Sequence, residues 1–111
     1  MNSKPVSLKD WTPPADLLSG RVILVTGAAN GIGKAVVKDM AAHGATIVLL
    51  DRDVKGLEQA YDEIVSAGHP QPAIYPMDLQ GASADDYTQL AATLEKEFNR
   101  LDGLIHNAAQ L

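Results

Sequence analysis

The chain contains no cysteine. That excludes a disulfide framework, a thiolate nucleophile and a zinc–thiolate site. Positive charge is also scarce: 9 Lys and Arg stand against 14 Asp and Glu, giving a formal net charge of −5 and a pI near 4.9. Nucleic-acid and anionic-membrane binders need a clustered positive surface, so neither kind of partner is expected. Long hydrophobic runs are missing, and the apolar stretches present are far too short to cross a bilayer. The opening segment, MNSKPVSLKDWTPPADLLSG, has no apolar stretch of the secretory type. By exclusion, the expected location is the cytoplasm.

What is present fits one small domain with a single core: 111 residues and 11.8 kDa. Hydrophobic residues make up 46% and charged residues 21%, the balance of a globular chain rather than a disordered one. Residues 1–20 read as an N-terminal arm. Pro5, Pro13 and Pro14 forbid a continuous helix there, and Trp11 is expected to pack its indole back onto the body.

From Arg21 the pattern changes. Val22-Ile23-Leu24-Val25 is a short, branched apolar run stopped by Thr26-Gly27, the mark of a buried parallel strand. A helix is predicted from about Ile32 to His43, with Ile32, Ala35, Val36 and Met40 on its apolar face and Gly44 as its stop. Thr46 to Leu50 is a second buried strand ending at Asp51. A second helix is predicted from about Val54 to Ala67, with Val54, Leu57, Tyr61, Ile64 and Val65 as its stripe and Gly68 as its stop. Pro70 and Pro72 mark a loop. A third strand begins at Ala73-Ile74-Tyr75 and reaches about Asp78. Ser83 with Asp86 three residues on predicts a capped helix start, followed by the stripe Tyr87, Leu90, Ala91, Leu94 and Phe98. Gly103 to Asn107 reads as a fourth strand.

The order β-α-β-α-β-α-β predicts parallel strands with helical crossovers. If the third crossover passes back beyond the first strand, the strand order is 3-2-1-4. That is the first half of a doubly wound, Rossmann-like α/β nucleotide-binding fold, with four strands and three helices.

The most informative stretch is Thr26-Gly27-Ala28-Ala29-Asn30-Gly31-Ile32-Gly33, where the first strand turns into the first helix. A phosphate placed there would meet unpaired backbone N–H groups and the positive end of the helix dipole. Gly27 allows the tight turn, Gly31 leaves the backbone open to a pyrophosphate, and Gly33 lets the helix pack closely. The spacing is G-x-x-x-G-x-G rather than G-x-G-x-x-G. It is not a P-loop, because no Gly-Lys-Ser/Thr follows. Asp51 adds an independent sign. It ends the second strand 18 residues after Gly33, near the place where this fold carries its ribose-binding acid. Its carboxylate favours ribose hydroxyls and repels a 2′-phosphate, which favours NAD over NADP. Arg52 pulls the other way, since a guanidinium can grip that phosphate. The alternative for Asp51 is a solvated strand-end carboxylate.

TGAANGIG, Asp51, Met77-Asp78-Leu79 and His106-Asn107-Ala108-Ala109 together resemble motifs of the short-chain dehydrogenase/reductase family, over about residues 20–111. The resemblance implies that Asp78 meets the adenine amino group, with Leu79 beside it. It also implies that Asn107 supports the central sheet and borders the cofactor. His106 stands where the family has a first asparagine, and Ala109 where it has glycine. His106 reads as a packed strand-end residue rather than a catalyst. The expected cofactor-binding set is therefore Gly27, Asn30, Gly31, Ile32, Gly33, Asp51 and Arg52, joined by Asp78, Leu79, Asn107 and Ala108.

The family's reaction needs a Tyr-x-x-x-Lys pair with a serine, and none is found here. Tyr61 is followed four residues on by Val65, Tyr75 by Leu79 and Tyr87 by Ala91. His43, His69 and His106 lack metal-site spacing, and Asp62-Glu63 and Asp85-Asp86 read as solvated helix charges. No catalytic or metal-ligating residue is therefore expected. Residues 21–111 read as an NAD(P)-binding half-domain that stops before the catalytic region of an oxidoreductase acting on alcohol or carbonyl substrates. By itself it should be inactive. Its apolar last strand would lie at a sheet edge and invite pairing with another chain, so a homo-oligomer is expected. The alternative is a non-catalytic dinucleotide-binding or regulatory module. A flavodoxin-like or response-regulator domain fits the element order but not the three glycines plus Asp51.

Overall fold

The computed structural model describes residues 15–78 and 80–107. Trp11 and the prolines of the arm, Leu79 and Ala108 lie outside the described residues. The elements run β1 (Val22–Thr26), α1 (Gly31–Ala42), β2 (Thr46–Asp51), α2 (Val54–Ser66), β3 (Ala73–Pro76), α3 (Ala84–Phe98) and β4 (Gly103–His106). They form one four-stranded sheet in the order β3-β2-β1-β4. Every pairing is parallel, with Leu24 opposite both Val48 and Leu104.

The two central strands are apolar except at their ends, Thr26, Thr46 and Asp51, because both faces of the sheet are covered. Ile23, Val25, Ile47 and Leu49 face α1 and α2, where Val37, Ala41, Leu57, Ala60 and Ile64 meet them. Val22, Leu24, Val48 and Leu50 face the other way, onto Leu90 and Leu94 of α3. Strand alternation and right-handed crossovers suffice to produce this arrangement. At the sheet edge Leu104 is exposed on the α3 side, whereas Ile105 packs against the α1 side.

Two helical stripes differ from the sequence expectation. In α1 the buried residues are Gly33, Val37 and Ala41. Ile32 is 75% exposed, and Ala35 is exposed too. The stripe is rotated by one residue because small side chains let the helix axis approach the sheet. In α2 Leu57 and Ile64 are buried as expected. Gly56 and Ala60 join them, while Val54 and Val65 are exposed. A hydrophobicity pattern favours the large residues; close packing here selects the small ones. The α3 stripe holds, and Ser83 and Asp86 form the expected reciprocal cap. β3 stops at Pro76 instead of Asp78, and β4 at His106 instead of Asn107.

Asp102 fastens the start of β4 to the start of β1. It accepts hydrogen bonds from the Val22 N–H at 2.7 Å and from Arg100 Nε and an Arg100 terminal nitrogen at 2.8 and 2.6 Å, with Arg21 at 3.4 Å. The Arg100 guanidinium foremost, and then the Val22 amide, hold its carboxyl down to about 2 from an ordinary 3.8. A depressed acid stabilises the fold above its unfolded pKa, and that contribution is lost as pH falls through the folded one. Acid unfolding should therefore steepen between about pH 4 and pH 2. Asp102→Asn should flatten the profile in that window, as followed by circular dichroism. An unchanged profile would mean that the clamp does not contribute. Among the described residues no helix is long and apolar enough to cross a membrane.

Candidate functional site: a glycine turn at the carboxyl ends of the strands

β1 delivers the chain into a turn at Gly27–Asn30 and then directly into α1. Gly27 and Gly31 hold φ of 66° and 60°, the left-handed region in which a side chain is strained. Ala28 and Ala29 are buried, and the Ala28 N–H donates to the Leu50 carbonyl at 3.3 Å, which fastens the turn to β2. A Cβ on Gly31 would meet no protein atom within 4 Å, so packing does not require glycine there. Gly33 is the opposite case. Its Cβ would lie 2.0 Å from the Gly27 carbonyl oxygen and 2.5 Å from Asn107 Nδ2. The first turn of α1 is thus pressed against both the glycine turn and the end of β4.

Asn30 occupies the N-cap position of α1, yet its side chain makes no cap hydrogen bond and the first turn carries no acid. The leading amides of α1 therefore keep their donors and the positive end of the dipole. The Asn30 carboxamide instead donates from Nδ2 to Asp53 Oδ2 at 3.2 Å. Asp53 caps α2 by accepting the Gly56 N–H at 3.1 Å. These two bonds, the Gly56 amide first, lower its pKa. Asp51 is tied in as well: Oδ2 accepts the Ala29 N–H and Oδ1 the Asp53 N–H, each at 3.1 Å. Arg52 is exposed and makes no ion pair among the described residues.

Thr26, buried at the end of β1, links the turn to β4. Its Oγ1 accepts the Asn107 N–H at 2.8 Å and lies 3.1 Å from His106 Nδ1. The His106 ring meets Tyr87 edge-on at 6.1 Å, and the residue is otherwise exposed, so it is packed on one side only. Asp78 follows β3, exposed, with Oδ1 accepting the Gln80 N–H at 2.9 Å. Gly27, Asn30, Gly31, Gly33, Asp51, Arg52, Asp78 and Asn107 thus gather at the carboxyl ends of the strands. There the strand order reverses between β1 and β4, and open α/β sheets bind their ligands at that crevice. Ile32 is at the same end, exposed at the start of α1.

Sequence reasoning placed Thr26 in the motif without giving its side chain a role, and passed over Asp53 and Gly56. Asp53 was legible as an Asp just before a helix start. Gly56 was not, because its role is tertiary: a Cβ there would lie 2.6 Å from the Ala29 Cβ and 2.7 Å from Asp53 Oδ2. Among the described residues no group of three or more acidic or histidine side chains could hold a metal ion.

A parallel sheet in the order 3-2-1-4, with a glycine turn and an uncapped helix at its switch point, defines a Rossmann-like fold. Residues 21–111 match the short-chain dehydrogenase family, and the chain belongs to that family. The chain is 53% identical to a structure described as a short-chain dehydrogenase of Pseudomonas syringae, at a TM-score of 0.81, covering 91% of this chain and 42% of that one. It is 39% identical to the uncharacterised oxidoreductase YciK of Escherichia coli K12, over 91% of this chain and 40% of YciK. A short-chain dehydrogenase of Shigella flexneri, solved in complex with NADP, matches at 39% identity and a TM-score of 0.79, covering 88% of this chain and 41% of that one. The chain thus spans about two-fifths of the length of these relatives.

Proposed function

We propose that this chain is the cofactor-binding half of an NAD(P)-dependent oxidoreductase that moves hydride between the cofactor and an alcohol or carbonyl substrate. The observation that carries the reading is the open N-terminus of α1: an asparagine cap turned away, behind a glycine whose side-chain position points into open space. Gly27, Gly31 and Gly33 would hold the pyrophosphate, Asp51 and Arg52 the adenosine ribose, and Asp78 and Leu79 the adenine. Asn107, just past the end of β4, and Ala108 after it in the chain would border the cofactor, and Ile32 would flank it from α1. When bound, the nicotinamide supplies the hydride or takes it up. The chain by itself is proposed to bind without turnover, since it carries no Tyr-x-x-x-Lys pair. The β4 edge is the proposed surface for a further strand or a second copy.

The choice of dinucleotide rests on Asp51 and Arg52. Asp51 alone favours NAD. The NADP complex of the Shigella relative favours the phosphorylated form. Two amides already share the Asp51 charge, and Arg52 beside it makes no ion pair among the described residues. We therefore read the site as one that admits NADP through Arg52. Calorimetric titration with both dinucleotides tests this. Arg52→Ala should weaken NADP about tenfold or more, the loss of one charge-assisted contact, and leave NAD nearly unchanged. Asp51→Asn should strengthen NADP relative to NAD. A wild type that prefers NAD tenfold would give the decision to Asp51. A folded chain that binds neither would overturn the function itself.

A further inference from the structure

Asparagine is among the strongest N-cap residues, because its side-chain oxygen satisfies the amides of the first helical turn. Asn30 holds that position in α1 and does not cap. Its carboxamide is drawn across to Asp53 at the start of the next helix. Asp53 is well placed to do this. Its Oδ1 is committed to the Gly56 amide, so the carboxylate is fixed and Oδ2 faces Asn30. Its backbone N–H is held by Asp51, and Gly56 has no side chain to push Ala29 and the turn away.

We propose that Asp53 is a positioning residue of the dinucleotide site. By holding the Asn30 side chain, it keeps Asn30 from capping α1 and leaves the leading amides of α1 for the ligand's phosphates. The inference rests on the proposed dinucleotide site and adds a residue to it that touches no ligand. It also makes Asn30 an intramolecular competitor with two alternative partners: Asp53, or its own helix. The competitor's advantage would be large, because a side-chain cap is local and needs no association.

The test is a double-mutant cycle read by calorimetric titration with NAD and NADP. Asp53→Ser retains a hydroxyl able to cap α2 but lacks the reach to Asn30. It should weaken both dinucleotides about five- to tenfold, as the released Asn30 caps α1. Removing a negative charge near a phosphate site would by itself strengthen binding, so a weakening cannot come from the charge. Asn30→Ala added to Asp53→Ser should then restore affinity to that of Asn30→Ala alone, because the competitor is gone. A residue that served only the stability of α2 would give the same loss with or without Asn30. Undiminished binding by Asp53→Ser, or a loss that persists in the double variant, would overturn the inference while leaving the site standing. Failure of the folded wild type to bind either dinucleotide would overturn the site and the inference with it.

Discussion

Replacing Gly33 with alanine is expected to cost the fold about 3 kcal/mol, the upper end of what an overpacked methyl costs. The added carbon would stand 2.0 Å from the Gly27 carbonyl oxygen, a backbone atom that no rotamer change can move. Its second neighbour, Asn107 Nδ2 at 2.5 Å, can swing aside, so the strain falls on the turn. Either α1 lifts from the sheet or the glycine turn is displaced. Both disturb the interlocked contacts of Ala28 with Leu50 and of Ala29 with Asp51. For a domain of this length, that destabilisation lowers Tm by on the order of 10–15 °C. Differential scanning calorimetry checks the effect. A Tm within about 2 °C of wild type would mean that the helix start is not as tightly pressed as the geometry indicates.

Gly31 separates strain from occupancy, because nothing in the protein stands where its side chain would be. Gly31→Ala and Gly31→Val must both adopt a φ near 60°, which costs roughly 1–2 kcal/mol for a residue with a Cβ. That part appears in Tm. Only the valine projects far enough to fill the approach to the leading amides of α1. Dinucleotide affinity should fall about tenfold in the alanine variant. In the valine variant it should fall 100-fold or more, a difference of at least about 1.4 kcal/mol between the two. Equal affinity in wild type and Gly31→Val would remove the glycine turn from the site. Equal losses in alanine and valine would mean that backbone strain, rather than blocked access, sets the effect.

These two glycines lie two residues apart in one motif, and their places in it already set them apart, Gly33 for close packing of the helix and Gly31 for an open backbone. Three dimensions show the distances behind that difference: a side chain at Gly33 would meet the Gly27 carbonyl, and one at Gly31 would meet open space. The helix faces were less legible. Ile32, Val36 and Met40 repeat at helical spacing, and so do Gly33, Val37 and Ala41. Hydrophobicity favours the first set; the sheet fully buries the second, while of the first Ile32 is exposed and Met40 packs half-buried against the same core. The distinction rests on how near the helix axis comes to the strands, and a one-dimensional pattern does not carry that distance. Asp51 was legible as a strand-end acid at the right spacing. Its pair of bonds to Ala29 and Asp53 was not, since they join segments brought together only by β1–β2 pairing.

By itself the sequence determined the alternation of strands and helices, the turn that joins β1 to α1 and the cap of α3. All of these are set by short-range periodicity and local backbone chemistry, which act within a few residues. The strand order 3-2-1-4 was also within reach, because chain chirality leaves few ways to cross between parallel strands. Only the tertiary structure decided which face of α1 is buried and that Gly56 and Ala60 complete the buried face of α2. It alone gave Asn30 to Asp53 rather than to its own helix, and set Thr26 between β1 and the end of β4. Those choices depend on atoms 23 and 81 residues apart in the chain meeting within hydrogen-bond distance. Such meetings follow from the packing of the whole sheet and its helices, and no local propensity encodes them.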